Sequence, residues 1–204
     1  MTSHTYVTVA ELRDYMDKTP SSQVPTELFQ SAIDTATAAI DDMCGRSFIT
    51  YEDEARLVSA EVYDVDHGPS FIQIDDVIEL DGTSIKVEMA DSPDVEVWTV
   101  LNGGWWLGPL RKKPNFPYTE LWIKHPRMVE GRTLRITTDW GWVEVPDTVK
   151  RACLMLSARY YQRKQSPLGQ ENVSAEFGTV FVRRTDPDIQ NTLRPYKRQY
   201  LTAW

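Results

Sequence analysis

"TDWGWVEVPDTVKRACLMLSARYYQRKQSPLG", residues 138–169, changes its periodicity at Pro146. Upstream, TLRITTDWGW alternates apolar and polar positions with period two, as a strand does. Downstream the period is helical: Val149, Cys153, Leu156 and Tyr160 form one stripe, and Ala152, Leu154 and Met155 widen it beyond the usual amphipathic band. Ser166-Pro167 and Gly169 then stop the helix. A helix apolar round most of its circumference needs either the centre of a domain or one face at home and another on a neighbour. Residues 147–163 are therefore expected to pack against a helix over residues 26–44 and to lie close to a subunit boundary, with Leu156 in the core.

Working outward, both ends of the chain read as helical. TVAELRDYM places Val9, Leu12 and Met16 on one face. PTELFQSAIDTATAAIDDMCGR spaces Phe29, Ile33, Ala36, Ile40 and Met43 by fours and threes, with Pro25 at the first turn and Gly45 past the end. DPDIQNTLRPYKRQY opens on Asp186 as N-cap with Pro187 at the first helical position, and Pro195 should end it near Arg194. Between Ser47 and Trp142 the period is two. RLVSAEVYDV, SFIQIDDVIEL, SIKVEM, DVEVWTVL, ELWIKHP and TLRITTDWGW are short, rich in β-branched and aromatic residues, and separated by turn residues. The expected fold is α+β: a helical bundle formed by the N- and C-terminal segments with an inserted small antiparallel β-domain, barrel or sandwich. The expected boundaries are 1–46 and 143–204 for the helical domain with a C-terminal arm, and 47–142 for the β-domain.

The 204 residues are 41% hydrophobic and 25% charged, the balance of an ordinary globular protein. No basic region followed by an apolar run opens the chain, and no stretch has the length of a membrane span, so it reads as a soluble protein made in a reducing compartment. Cys44 and Cys153 fall inside helical patterns and read as small core residues. Charge is uneven. From Lys150 onward there are ten Lys or Arg against four Asp or Glu, while the preceding part is strongly acidic. That acidic body argues against general phosphate binding.

Chemistry is sparse. The three histidines, His4, His67 and His125, are neither paired at helical spacing nor near a cysteine, and no GxSxG elbow or phosphate loop is present. No catalytic residue, cofactor or metal is expected. The carboxylate pairs Asp41-Asp42 and Asp75-Asp76 diverge by geometry and read as solvated. LNGGWWLGPL reads as a hairpin whose tip presents Trp105 and Trp106; neighbours on a strand face opposite sides, so if Trp105 packs inward Trp106 points out. Trp105, Trp106, Tyr160 and Tyr161 are candidate interface residues. From about Glu176 onward, an extended stretch and a short helix concentrate basic and aromatic groups. Arg183, Arg184, Arg194, Lys197 and Arg198 offer charge there, and Ile189, Leu193, Tyr196 and Trp204 offer apolar anchors for a partner.

The ordered set WGWVEVPDTVKRACLMLSARYYQRKQSPLG, EFGTVFVRRTDPDI and LRPYKR, together with YVTVAELRDYM and AAIDDMCGRSF near the start, resembles the head-to-tail connector (adaptor) proteins of long-tailed bacteriophages. The strand region matches only loosely, through IDDVIELDG. The resemblance implies a structural, non-catalytic subunit of a homo-oligomeric ring, typically twelvefold, beneath the portal protein and above a downstream neck or tail-completion protein. Such a ring sits in the virion neck, is assembled in the host cytoplasm, and passes DNA through its lumen without sequence-specific binding or membrane contact. The basic C-terminal segment would then be a portal-docking arm. Two other classes stay open: a nucleic-acid-binding module using the same basic groups with Tyr196 and Tyr200 for stacking, and a hydrolase using His67 or His125.

Overall fold

The structure, a computed structural model, describes residues 4–17, 25–61, 68–78, 85–90, 97–165 and 187–198. These fall into two compact units, one from the described residues of 4–48 and 145–198, the other from those of 49–144.

The first unit holds four helices: α1 (Val9–Tyr15), α2 (Thr26–Cys44), α3 (Asp147–Gln165) and α4 (Pro187–Leu193). Thr8 and Glu11 form a reciprocal capping box that starts α1: Thr8 Oγ1 accepts the Glu11 amide at 3.2 Å and the Glu11 carboxylate accepts the Thr8 amide at 2.6 Å. Helix α2 buries Phe29, Ala32, Ile33, Ala36, Ile40 and Cys44 and ends on Gly45 at φ 63°, a conformation that costs glycine nothing. Pro195 ends α4, with a 3-10 turn over Arg194–Tyr196.

Helix α3 packs against α1, α2 and α4, and the Tyr161 ring stacks on Phe29 at 4.4 Å. Three helical neighbours within one chain explain an apolar circumference this wide, so its width alone does not require a second subunit. The buried residues are Val149, Ala152, Cys153, Ser157, Ala158 and Tyr161. Leu156 and Tyr160, expected in the core stripe, are only half-buried, because the contact face extends toward Ser157 and Tyr161.

The second unit is one seven-stranded antiparallel sheet curled as a half-barrel. Its strands are β1 (Tyr51–Ser59), β2 (Ser70–Val77), β3 (Lys86–Ala90), β4 (Trp98–Val100), β5 (Trp105–Gly108), β6 (Tyr118–Ile123) and β7 (Thr133–Trp140). The spatial order is β4-β3-β7-β2-β6-β5, with β1 also on β7. Strand β7 is the hub: Leu134, Ile136 and Trp140 point into a core completed by Ile72, Ile74, Val87, Leu121 and Ile123. Residues 134–137 pair with both β1 and β3, which therefore lie on opposite edges of β7. Gly141 follows at φ 102°, where any Cβ would land on the Ile49 carbonyl.

This architecture corrects the expected fold. Among the described residues the fold is mostly an antiparallel sheet of seven strands with four helices, not a helical bundle carrying a small β-domain. Two of the helices, α1 and α4, have only seven residues. The strands expected as a small barrel or sandwich join through β7 into a single sheet with its own large core. Residues 105–108, expected at a hairpin tip, form a strand of their own, β5, paired with β6 from Trp105↔Ile123 to Gly108↔Glu120.

Candidate interaction surfaces

The partner-arm residues fall into three groups. Arg183, Arg184 and Trp204 lie outside the described residues, as does the N-cap expected at Asp186. Ile189 and Leu193 are buried at 1% and 0% exposure, with α4 against α3, so they are core side chains of the helical unit rather than anchors a partner could reach. Arg194 and Lys197 are exposed, and Tyr196 and Arg198 are half-buried. Tyr196 meets Phe48 edge to face at 5.8 Å, and the Arg198 amide donates to the Cys44 carbonyl at 2.8 Å. The segment from Pro187 to Arg198 is thus fastened to the end of α2.

That same end holds a polar relay the sequence did not disclose. The Tyr6 hydroxyl donates to Asp41 Oδ1 and accepts the Phe48 amide at 3.0 Å. Burial, with the neighbouring Asp42 charge behind it, lifts the Asp41 carboxyl to about 6 despite the opposing Tyr6 hydrogen bond. Burial and the Asp41 bond push the Tyr6 phenol far above its ordinary value.

In the β unit the parity argument for the tryptophan pair holds. Trp105 packs against the core and donates Nε1–H to the Leu101 carbonyl at 3.0 Å. Trp106 faces the other way and stacks on Trp122 at 6.0 Å, while Phe71 meets Trp122 at 5.1 Å. The three rings make a row across β5, β6 and β2, in register at Trp106↔Trp122 and Phe71↔Trp122. Gly108 leaves no room for a Cβ beside Trp122. Tyr160 is half-buried and Tyr161 is buried in the helical unit, so of the four candidate interface aromatics Tyr161 is closed to a partner.

Asp76 corrects the expectation that both carboxylate pairs are solvated. It is 4% exposed, and its Oδ2 accepts the Trp142 indole N–H at 2.9 Å. Beside Trp142 a cleft of about 180 Å³ is lined by Val77, Ile78, Lys112, Asn115 and Phe116 among others. It has room for one side chain and falls below the volumes typical of small-molecule sites, about 300–1,000 Å³. On the outer face, Glu88 accepts from Arg135 at 2.7 Å and pairs with Lys86 at 2.8 Å; those bonds hold its carboxyl at about 2. Arg135 in turn lies 4.3 Å over the Trp98 ring.

Among the described residues no three His, Cys, Asp or Glu side chains gather as a metal site, and His4 and His125 are exposed singly; His67 lies outside them. Cys44 and Cys153 are buried free thiols. No helix among the described residues is long and apolar enough to cross a membrane. Residues 49–144 carry 18 acidic and 9 basic side chains. Comparison with protein-family models and with curated proteins gives no match.

Proposed function

We propose that the chain is a structural subunit of a bacteriophage head–tail connector ring, joining the portal to the tail and forming part of the DNA channel, with no catalytic role. The observation that carries this reading is the ordered set of motifs at the two ends of the sequence. The acidic balance of residues 49–144 supports it: a unit with twice as many carboxylates as cations repels the phosphate backbone, where a surplus of lysines and arginines would hold passing DNA. Docking to the portal falls to the basic groups that follow α4, Arg194, Lys197 and Arg198, since Ile189 and Leu193 are committed to the core.

Co-sedimentation of the purified chain with purified portal rings tests the proposal. Association that is lost when Arg194 and Lys197 are changed together to Glu supports it. Failure of the unaltered chain to associate at any salt concentration contradicts it.

A further inference from the structure

Strand β1 has one edge on β7 and, among the described residues, no strand on the other. Ala60 donates its amide to the Arg132 carbonyl at 2.9 Å and accepts the Gly131 amide at 3.1 Å, so the backbone of residue 60 is directed at β7. Along a strand this direction alternates residue by residue. Val58, Arg56 and Glu54 therefore also face β7, while the amides and carbonyls of Ala55 and Leu57 face the open edge. The Leu57 side chain is 63% exposed, and Ala55 and Ser59 are exposed with it. Glu52 and Asp53 stand exposed at the beginning of the strand, where Asp53 adopts φ 47° in a break of register. Arg56, the only basic group on the strand, is drawn back onto Glu54 at 3.2 Å and Asp75 at 3.0 Å. Open edges of this kind are templates for another strand unless charge, bulge or cover blunts them. Here charge blunts only one end.

We propose that this edge receives residues 179–184 of a second copy, TVFVRR, as an added antiparallel strand. The segment lies outside the described residues; its sequence supplies the argument. Thr179, Val180, Phe181 and Val182 are strand-favouring types in an unbroken run, and two arginines follow. Setting Val180 opposite Leu57 and Val182 opposite Ala55 brings Arg183 to Glu54 and Arg184 to Asp53. A parallel strand would carry the arginines to the Ser59 end, away from that acidic cluster, so charge selects the antiparallel sense. Backbone hydrogen bonds at Ala55 and Leu57 then supply affinity, and the Val180–Leu57 pair and the two ionic contacts supply register. The inference deepens the ring reading and rests on it for the identity of the partner as a second copy.

The test uses full-length protein carrying Arg183→Glu and Arg184→Glu, with its fold checked by circular dichroism, and a synthetic peptide of residues 176–186. The peptide is expected to bind and to slow hydrogen exchange at the Ala55 and Leu57 amides; adding Asp53→Lys and Glu54→Lys to the protein should weaken it by about tenfold or more. In the full chain, Asp53→Lys/Glu54→Lys should restore the self-association that Arg183→Glu/Arg184→Glu removes. No binding, protection elsewhere than on β1, or protection of Ala55 and Leu57 in unaltered protein that sediments as a monomer overturns the inference. A ring unaffected by either pair of changes sinks the docking and leaves the ring. Peptide binding to β1 in a chain that never forms a ring sinks the ring and leaves the edge as a peptide site.

Discussion

Tyr6 and Asp41, 35 positions apart in sequence, share a hydrogen bond at the C-terminal end of α2, with the Tyr6 oxygen also accepting the Phe48 amide. The pair couples the first described residues to the last turn of the longest N-terminal helix. Removing the hydroxyl by Tyr6→Phe leaves the buried Phe48 amide without its acceptor and Asp41 without its donor. Such a loss costs about 1–3 kcal/mol, and denaturant unfolding of the variant should show a lower midpoint at unchanged slope.

The same pair sets a pH dependence. A carboxyl at about 6 when folded, against an ordinary 3.8, binds more protons in the folded state. Its contribution is therefore fully present below about pH 4 and is lost as pH rises through 6. Thermal melts of wild type and Asp41→Asn between pH 4 and 8 should diverge in that window, with the variant gaining relative to wild type as pH increases. Parallel curves would show that Asp41 titrates at its ordinary value.

Glu88 works in the opposite direction. Its bonds to Arg135 and Lys86 hold it at about 2, below the ordinary 4.5, so its contribution is present above about pH 4.5 and disappears as pH falls through 2. Glu88→Gln should flatten the acid limb of unfolding followed by tryptophan fluorescence, and should leave the limb between pH 5 and 8 unchanged.

Leu193 and Ile189 test whether Pro187–Arg198 belongs to the helical core. Each is buried against that core, and either change to Ala should cost about 2–5 kcal/mol. Truncation after Arg184 removes both and should lower the melting temperature of the helical unit. A truncated chain that melts like the full one would return this segment to the status of a free arm.

The sequence disclosed what local periodicity controls. Helix α2 runs over Thr26–Cys44, between Pro25 and Gly45, because the apolar spacing and both end signals lie within one stretch, and β7 reads correctly because Leu134, Ile136 and Trp140 alternate cleanly. It hid what depends on register. Nothing local tells that Phe71, Trp106 and Trp122 lie side by side, since only the pairing of β2, β6 and β5 aligns them. Asp76 looked like half of a solvated pair because its partner, Trp142, is 66 residues away. The breadth of apolar surface on α3 pointed to a second subunit, but α1, α2 and α4 already pack against this helix within the chain and leave Leu156 and Tyr160 half-buried, so breadth alone does not decide the matter. The partial tell was Tyr161, an aromatic among basic residues, which stacks on Phe29.

The connector reading is tested most directly by electron microscopy of the purified protein, alone and mixed with portal rings. The account predicts closed rings with an open central channel, stacked coaxially on one end of the portal. Particles that remain single subunits under both conditions, with portal rings left bare, would contradict it.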